Sequence, residues 1–344
     1  MLIIEKKDLE IYRFIVAKVV FLEQYQNKYQ LIKDIKASNC MEMIRMDTNQ
    51  KVVISLLSKP KKTKDIPKLP IIVFYQKRSF RDSNDKRDNS ISYVLTSAFD
   101  SEYDKCISLA LIEPLNFINK YKNKQIDMLD ILEKAIIVKP IEKQLFKYYS
   151  TLIENNRYGQ LNGEISFMPP QAFNDPFDCN CLSQNGNSLS NCFRVFCCTE
   201  DRVNIPMWAY YGENHKGYCF EYSQADILKE LMKSNPNALC IIGEVTYSKK
   251  RPDYFMPNNS LSYTNIKKYI DCTFTKYDGW KQEKEYRFVL ISQTFNSNSS
   301  VFQVTVPIKN IFTGCNHSGK SLTVNNKILT THKLIKDLKN YSLK

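Results

Sequence analysis

The stretch that most constrains the fold covers residues 206–222, PMWAYYGENHKGYCFEY. It contains one of the two tryptophans, one of the three histidines and two of the nine glycines of the 344-residue chain. Because proline favours the first turn of a helix and glycine its end, this order predicts a short aromatic helix. The alternation from Tyr218 onward predicts a strand that presents Glu221, and the loop before it carries His215.

A second stretch, residues 173–178, reads FNDPFD and combines aromatic rings with oxygen acceptors. Asn174 and Asp175 precede a proline, which favours an Asx-type turn with an extended Asp175. One interpretation is a capped turn that its phenylalanines anchor to the core. The other is a turn that positions Asp175 or Asp178 over a ligand.

The third stretch, residues 280–291, reads WKQEKEYRFVLI and predicts a strand. Period two places Glu283, Glu285 and Arg287 on one face. Carboxylates two positions apart repel each other by about 2 to 3 kcal/mol, and the arginine offsets part of this. The pattern fits a solvated edge strand or an active site in which a ring such as Trp280 raises the pKa of a carboxyl group.

We interpret the three stretches as walls of one pocket, with the acidic pair Glu283 and Glu285 facing inward toward Trp208 and His215. A further predicted strand, residues 193–199, ends at Thr199 just before the central stretch. Its hydroxyl group could hold a ribose or orient a glutamate, or it could cap a turn.

The net charge of +13 does not by itself predict a nucleic-acid-binding protein. Residues 1–140 contribute 25 basic and 18 acidic side chains and residues 141–344 contribute 24 and 18, so the excess is spread evenly. A basic field helps any polyanion to approach, and the densest lysine run, residues 59–68, lies in the N-terminal part. A protein or nucleic-acid target bound through that part is therefore one expectation, and the oligomeric state stays open.

The first residues carry charges rather than an apolar leader, and the apolar run over residues 14–22 is interrupted by Lys18. Eleven cysteines, an odd number in a long chain without a leader, predict reduced thiols. Their pairs, CNC and CC, lack the spacing of structural zinc sites. We expect a soluble cytoplasmic protein with no membrane partner.

The fold class predicted is α+β with two domains. Residues 1–140 form a regulatory or partner-binding α+β domain, with helical spacing over residues 8–22 and 24–37 and a strand over residues 52–57. Residues 141–344 consist of short aromatic segments separated by turns. This texture predicts a catalytic domain built on a mixed or antiparallel sheet with short flanking helices.

Four ordered motifs resemble an uncharacterised bacterial family of domains of unknown function: FKYY at 146–149, FNDPFD at 173–178, MWAYYGENHKG at 207–217 and WKQEKEYR at 280–287. Tyr210 stands where this family has a histidine. The resemblance implies a toxin-like effector or a sensor in a bacterial conflict or phage-defence system.

The order of a basic and aromatic strand, a strand ending in threonine before an aromatic helix, and a late Glu-x-Glu strand is similar to the ADP-ribosyltransferase fold. This similarity implies that NAD is the substrate. It further implies that Glu285 stabilises the oxocarbenium ion formed as nicotinamide leaves, while Glu283 orients an acceptor.

The same similarity implies that Tyr210 or Tyr211 stacks on nicotinamide, and that Lys147 and Tyr148 contact the phosphates or ribose. Two departures weaken it. Lys147 replaces an arginine or histidine, and a Ser-Thr-Ser strand is reduced to a cysteine followed by Thr199.

Two alternatives of other classes stay open. One is a Mg²⁺-dependent nuclease that uses Asp175, Asp178, Glu283, Glu285 and Lys276. The other is a non-enzymatic sensor whose aromatic pocket binds a ligand or a phage protein. The candidate catalytic residues are Glu285, Glu283, His215 and Arg287, and the candidate ligand-binding residues are Lys147, Tyr148, Asn174, Asp175, Asp178, Thr199, Trp208, Tyr210, Tyr211, Glu221, Lys276 and Trp280.

Overall fold

The computed structural model describes residues 2–35, 38–57, 69, 71–75, 91–95, 97–122, 143–183, 185–234, 236–256, 262–295, 301–319, 322–324, 327–329, 331–337, 340 and 342–343. The predicted α+β class with a mixed sheet is confirmed. The helices are α1 (Leu9–Tyr25), α2 (Ser97–Ile112), α3 (Pro114–Lys122), α4 (Ile205–Tyr210), α5 (Gln224–Ser234) and α6 (Tyr263–Thr273).

A large sheet contains eight strands in the order β1, β12, β16, β10, β7, β11, β18, β21. Their bounds are β1 (Leu2–Glu5), β7 (Gln144–Tyr149), β10 (Phe193–Thr199), β11 (Tyr218–Ser223), β12 (Leu239–Glu244), β16 (Glu285–Ile291), β18 (Asn310–Thr313) and β21 (Thr331–Lys333). The two outermost pairs are parallel, and every other neighbouring pair is antiparallel. The first strand of the chain thus belongs to the sheet built mainly from the C-terminal half.

A smaller sheet has the order β2, β3, β4, β5, β6. Its strands are β2 (Tyr29–Asp34), β3 (Cys40–Arg45), β4 (Gln50–Leu56), β5 (Ile71–Tyr75) and β6 (Ile91–Leu95). The short pairs elsewhere are β8 (Glu164–Phe167) with β17 (Phe302–Thr305), β9 (Leu182–Ser183) with β14 (Phe255–Met256), β13 (Thr246–Ser248) with β15 (Thr275–Tyr277), β19 (Leu322–Val324) with β20 (Lys327–Leu329), and β22 (Lys336–Asp337) with β23 (Ser342–Leu343).

The large sheet is covered on both faces, as its alternating apolar residues require. On β16, Val289 and Ile291 face a core that also contains α1, α2, α3 and α6. Phe288 and Leu290 face a second core, which includes α5. The first core joins residues from both predicted domains, and the predicted boundary near residue 140 lies outside the described residues, so the two-domain division stays a prediction.

Three of the predicted helices and strands are confirmed, and one helical prediction is wrong. The helix over residues 8–22 and the strands over 52–57 and 193–199 are confirmed by α1, β4 and β10. The helical prediction for residues 24–37 is wrong over Tyr29–Asp34, which pairs antiparallel with β3 as strand β2, and residues 36–37 lie outside the described residues. Pairing with a neighbouring strand overrides a local helical pattern.

Two properties of the chain bear on its environment. All eleven cysteines lie in the described residues and are free thiols. In the described part of the chain, no helix combines the length and apolar character needed to cross a bilayer.

Candidate functional site

A cavity opens in the large sheet where β7 and β10 separate. The two strands pair at one described position, Thr199 with Phe146, whereas β7 forms six pairs with its other neighbour, β11. The gap leads into a cavity of about 680 Å³, a volume typical of small-molecule sites. Nine predicted site residues line it: Lys147, Tyr148, Asn174, Asp178, Tyr210, Tyr211, Lys276, Glu283 and Glu285.

The acidic pair faces inward, as predicted, and forms part of a buried ion-pair network at the cavity wall. The Lys276 ammonium lies 2.6 Å from Glu283 Oε2 and 3.2 Å from Glu285 Oε2. The exposed fraction of each of these side chains is 6 % or less. Charges this deeply buried persist only when they are paired.

Arg287 forms ion pairs with two carboxylates of the network. Its guanidinium donates to both oxygens of Glu285, at 2.6 and 2.9 Å, and to both oxygens of Asp178, at 2.8 and 2.5 Å. It also donates to the Thr273 carbonyl at 2.6 Å. This arginine is fully buried and does not line the cavity, so its geometry suits positioning of Glu285 rather than ligand contact.

The pair is built differently from the predicted continuous strand. Glu283 ends a 3-10 helix (Asp278–Glu283), and Lys284 adopts a left-handed backbone conformation with φ 46° before β16 begins at Glu285. The turn, rather than strand alternation, therefore brings Glu283 to the face of Glu285 and Arg287. The backbone N–H of Glu285 donates to the hydroxyl of Tyr247, at 2.9 Å.

The pKa of the Glu285 carboxyl group is lowered, although a raised carboxyl pKa was the expectation for this pocket. Burial alone would raise the pKa of its carboxyl group, but the Arg287 guanidinium and the Lys276 ammonium hold that pKa well below its ordinary value. Burial would lower the pKa of Lys276, whereas Glu285, Glu283 and Asp178 raise it above the ordinary value. The expectation of a carboxyl group with a raised pKa is not met at Glu285, because neighbouring cations outweigh burial.

The network carries an unbalanced formal charge. Three carboxylates, on Asp178, Glu283 and Glu285, meet two cations, on Lys276 and Arg287. The formal sum is −1 on a largely buried wall. Such a wall attracts a ligand group that carries or develops positive charge.

Tyr211 ties the aromatic helix to the network. Its hydroxyl donates to Glu283 Oε1 at 2.8 Å and accepts from Asn174 Nδ2 at 3.3 Å. Burial, together with Glu283, raises the pKa of Tyr211. Tyr210 lines the same cavity with its ring 68 % exposed, so it is available for stacking.

The predicted turn at residues 173–178 is confirmed as an Asx turn, since Phe177 N donates to Asp175 Oδ1 at 2.9 Å. The other oxygen of Asp175 accepts from Trp280 Nε1 at 3.0 Å. The Trp280 ring also covers the Lys276 ammonium at 5.3 Å. Asp175 and Trp280 therefore support the network without lining the cavity described above, which is called the first cavity below. Both residues line a second cavity.

Thr199 and Glu221 have partners within the protein. The Thr199 hydroxyl donates to the Lys284 carbonyl at 3.1 Å and accepts from Asp201 N at 3.2 Å, as in a turn cap. Glu221 accepts from Asn310 Nδ2 at 2.8 Å. Neither residue lines the first cavity.

Trp208, on α4, and His215, in the loop that follows, do not line the cavity. Trp208 is fully buried, donates to the Arg202 carbonyl at 2.8 Å and stacks on His215. Gly212 packs on its ring, where an added Cβ would lie 2.6 Å away. The acidic pair thus faces Tyr211 instead of the predicted Trp208 and His215.

The cavity lining also contains cations and aromatic rings. Lys147 and Arg157 both line the cavity, and Arg157 is exposed over the ring of Tyr158 at 5.3 Å. Among the described residues, neither cation forms an ion pair. Tyr148 also lines the cavity, but its hydroxyl donates to the Asp201 carbonyl at 2.6 Å.

Sequence reasoning missed several contributors. Arg157, Tyr247 and the Thr273 carbonyl reach the site or its support from outside the three stretches that were predicted to form the pocket. Their positions depend on the strand order of the large sheet. Arg157 follows a polar turn signal, which is the one local feature that could have indicated it.

The carboxylates as arranged do not fit a Mg²⁺ site. Both oxygens of Asp178 and of Glu285 accept from Arg287, and Glu283 accepts from Lys276 and Tyr211. Within the described ranges, no group of three His, Cys, Asp or Glu residues is placed to share a metal ion.

The fold and site define an α+β protein with a small-molecule-sized cavity beside a buried ion-pair network. A family model described as "Protein of unknown function (DUF2971)" matches residues 207–288, which carry Tyr210, Tyr211, Lys276 and the acidic pair. The predicted resemblance to a family of unknown function is confirmed over this stretch. No curated protein and no solved structure matched the chain.

Proposed function

We propose that the first cavity binds NAD or a related nucleotide, and that the protein cleaves the nicotinamide–ribose bond as an effector of a bacterial conflict or phage-defence system in the cytoplasm. The observation that carries this proposal is the charge polarity of the cavity. Its lining contains Glu283 and Glu285, in a network of formal charge −1, and also the cations Lys147 and Arg157.

NAD has a matching polarity. Its nicotinamide ring is a cation, and its pyrophosphate is an anion. In this proposal the ring lies beside the acidic wall and stacks on the exposed Tyr210, while Lys147 and Arg157 contact the pyrophosphate. The cavity volume of about 680 Å³ supports a ligand of this class.

The chemistry follows from a carboxylate that stays ionised. When the bond between ribose C1′ and the ring nitrogen breaks, both electrons leave with neutral nicotinamide and positive charge develops on the ribose. The depressed pKa of Glu285 keeps a negative charge beside that position. Water or an acceptor hydroxyl then bonds to C1′ and releases its proton to solvent water, and Glu283 orients this nucleophile.

The test is nicotinamide release from NAD by purified protein, followed by chromatography. Glu285→Gln keeps the shape of the side chain and should lower the rate by about 100-fold or more. Glu230→Gln removes an ion pair with Lys233 on α5 and serves as the control with an unchanged rate. An unchanged rate in folded Glu285→Gln contradicts the proposal.

Parallel incubations separate the alternatives. Cleavage of RNA or DNA that requires Mg²⁺ and stops on adding a chelator supports the nuclease. Nucleotide binding without turnover of either substrate class supports the sensor. Growth arrest on expression in bacteria, relieved by Glu285→Gln together with restored NAD levels, supports the effector role.

A further inference from the structure

A second cavity of about 430 Å³ lies against the same network. Asn174, Asp178 and Lys276 line both cavities and form a shared wall. The lining of the second cavity is otherwise different, because it combines consecutive basic side chains with exposed aromatic rings. The proposed nucleotide reaction uses none of these groups.

The basic side chains follow strand β13 as Lys249, Lys250 and Arg251, and all three are exposed. Ser248 shapes their turn, since its hydroxyl donates to the Lys250 carbonyl at 2.8 Å. Arg251 donates to the carbonyls of Asn180 and Phe177 at 2.9 and 3.3 Å, which fixes the rim.

The two lysines of this turn are unpaired within the described part of the chain. The nearby Asp253 is held by Lys268 at 2.7 Å. The two acids of the cavity lining, Asp175 and Asp178, accept hydrogen bonds from Trp280 and Arg287. Two adjacent ammonium groups beside a cavity are therefore available to an anionic partner.

The aromatic rings are Phe177, Tyr277 and Trp280. Phe177 is 68 % exposed and Tyr277 is 60 % exposed, so a large part of each ring faces solvent. The Arg251 guanidinium lies 5.9 Å from the Phe177 ring and 4.2 Å from the Tyr254 ring. Cations interleaved with flat exposed rings characterise sites for unpaired bases and their phosphates.

We propose that the second cavity binds single-stranded nucleic acid, with Lys249 and Lys250 at the phosphates and Phe177 and Tyr277 stacking on successive bases. A duplex hides its base faces and leaves the rings without a partner. An acidic peptide could pair with the lysines but offers no flat surface for both rings. This proposal is independent of whether the first cavity turns over NAD.

The experiment measures fluorescence anisotropy of labelled oligo(dT) and oligo(U) with the full chain at several salt concentrations. Phe177→Ala and Tyr277→Ala should each weaken binding by about 5- to 100-fold. The double variant Lys249→Gln and Lys250→Gln should reduce the slope of log affinity against log salt by about 1.4.

Matched controls lie on other surfaces. Lys51→Gln with Lys105→Gln removes two exposed lysines, and Leu115→Ala removes an apolar side chain that is 67 % exposed. Neither should change the affinity. Equal binding of duplex and single strand, unchanged affinity in both aromatic variants, or losses in the controls as large as those at the cavity would each overturn the proposal.

Discussion

The two sides of helix α4 are stabilised by different forces, although they arise from one aromatic stretch. On the cavity side, the Tyr211 hydroxyl donates to one oxygen of the buried Glu283, whose other oxygen accepts from Lys276. On the other side, Trp208 packs among apolar residues and satisfies its single polar atom with the Arg202 carbonyl. The difference shows that an aromatic motif identifies a site only after each ring has been assigned to a side.

The largest effect that tests this comparison concerns Arg287. Arg287→Leu leaves the buried carboxylates of the network with Lys276 in place of two cations, so we expect a loss of about 3 to 5 kcal/mol in the free energy of unfolding. Urea denaturation measures it. Arg45→Leu, which removes an exposed pair with Asp47, is the control with little change. Equal losses in the two variants would mean that the buried charges are not held by pairing.

A smaller effect is expected on the apolar side. Trp208→Phe removes the hydrogen bond to the Arg202 carbonyl and reduces the packed volume, which should cost about 1 to 3 kcal/mol of unfolding free energy. Calorimetric titration of the folded variant should give an unchanged affinity for NAD. If Trp208→Phe lost as much affinity for NAD as Tyr210→Ala, Trp208 would contribute to NAD binding, which contradicts its assignment to the apolar side.

The smallest expected effect is a pH dependence of the unfolding free energy, caused by Glu285 on the cavity side of α4. Because the pKa of Glu285 is lowered on folding, its stabilisation is present above the unfolded value and is lost as the pH falls. Between about pH 5 and about pH 3.5, the wild type should lose about 1 kcal/mol more than Glu285→Gln. Urea midpoints at each pH measure the difference. If the unfolding free energies of the two proteins fell equally as the pH is lowered, Glu285 would contribute nothing to the pH dependence of stability.

Much of the site's composition was predictable. The short aromatic helix, the strands β10 and β11 and the Asx turn at Asp175 follow from local preferences of proline, glycine and alternating side chains. The inward direction of Glu283 and Glu285 was also predicted. The backbone geometry that produces this direction was not predicted, because the left-handed backbone at Lys284 forms a turn where the pattern indicated a strand.

Partners distant in sequence could not be predicted. Arg287 meets Asp178 across 109 positions, and Lys276 joins the same buried network, in which the two cations lower the pKa of Glu285. Residues 29–34 form a strand because β3 lies beside them, although their own spacing favours a helix. The cavity itself depends on β7 leaving β10 after one pair.

The amino-acid sequence by itself determined which short segments are helical or extended and where aromatic and charged residues concentrate, because these properties depend on neighbours along the chain. Only the tertiary structure decided which charges pair, which side of α4 faces the cavity and where the large sheet opens. These depend on strand order, which brings together groups that no local preference connects.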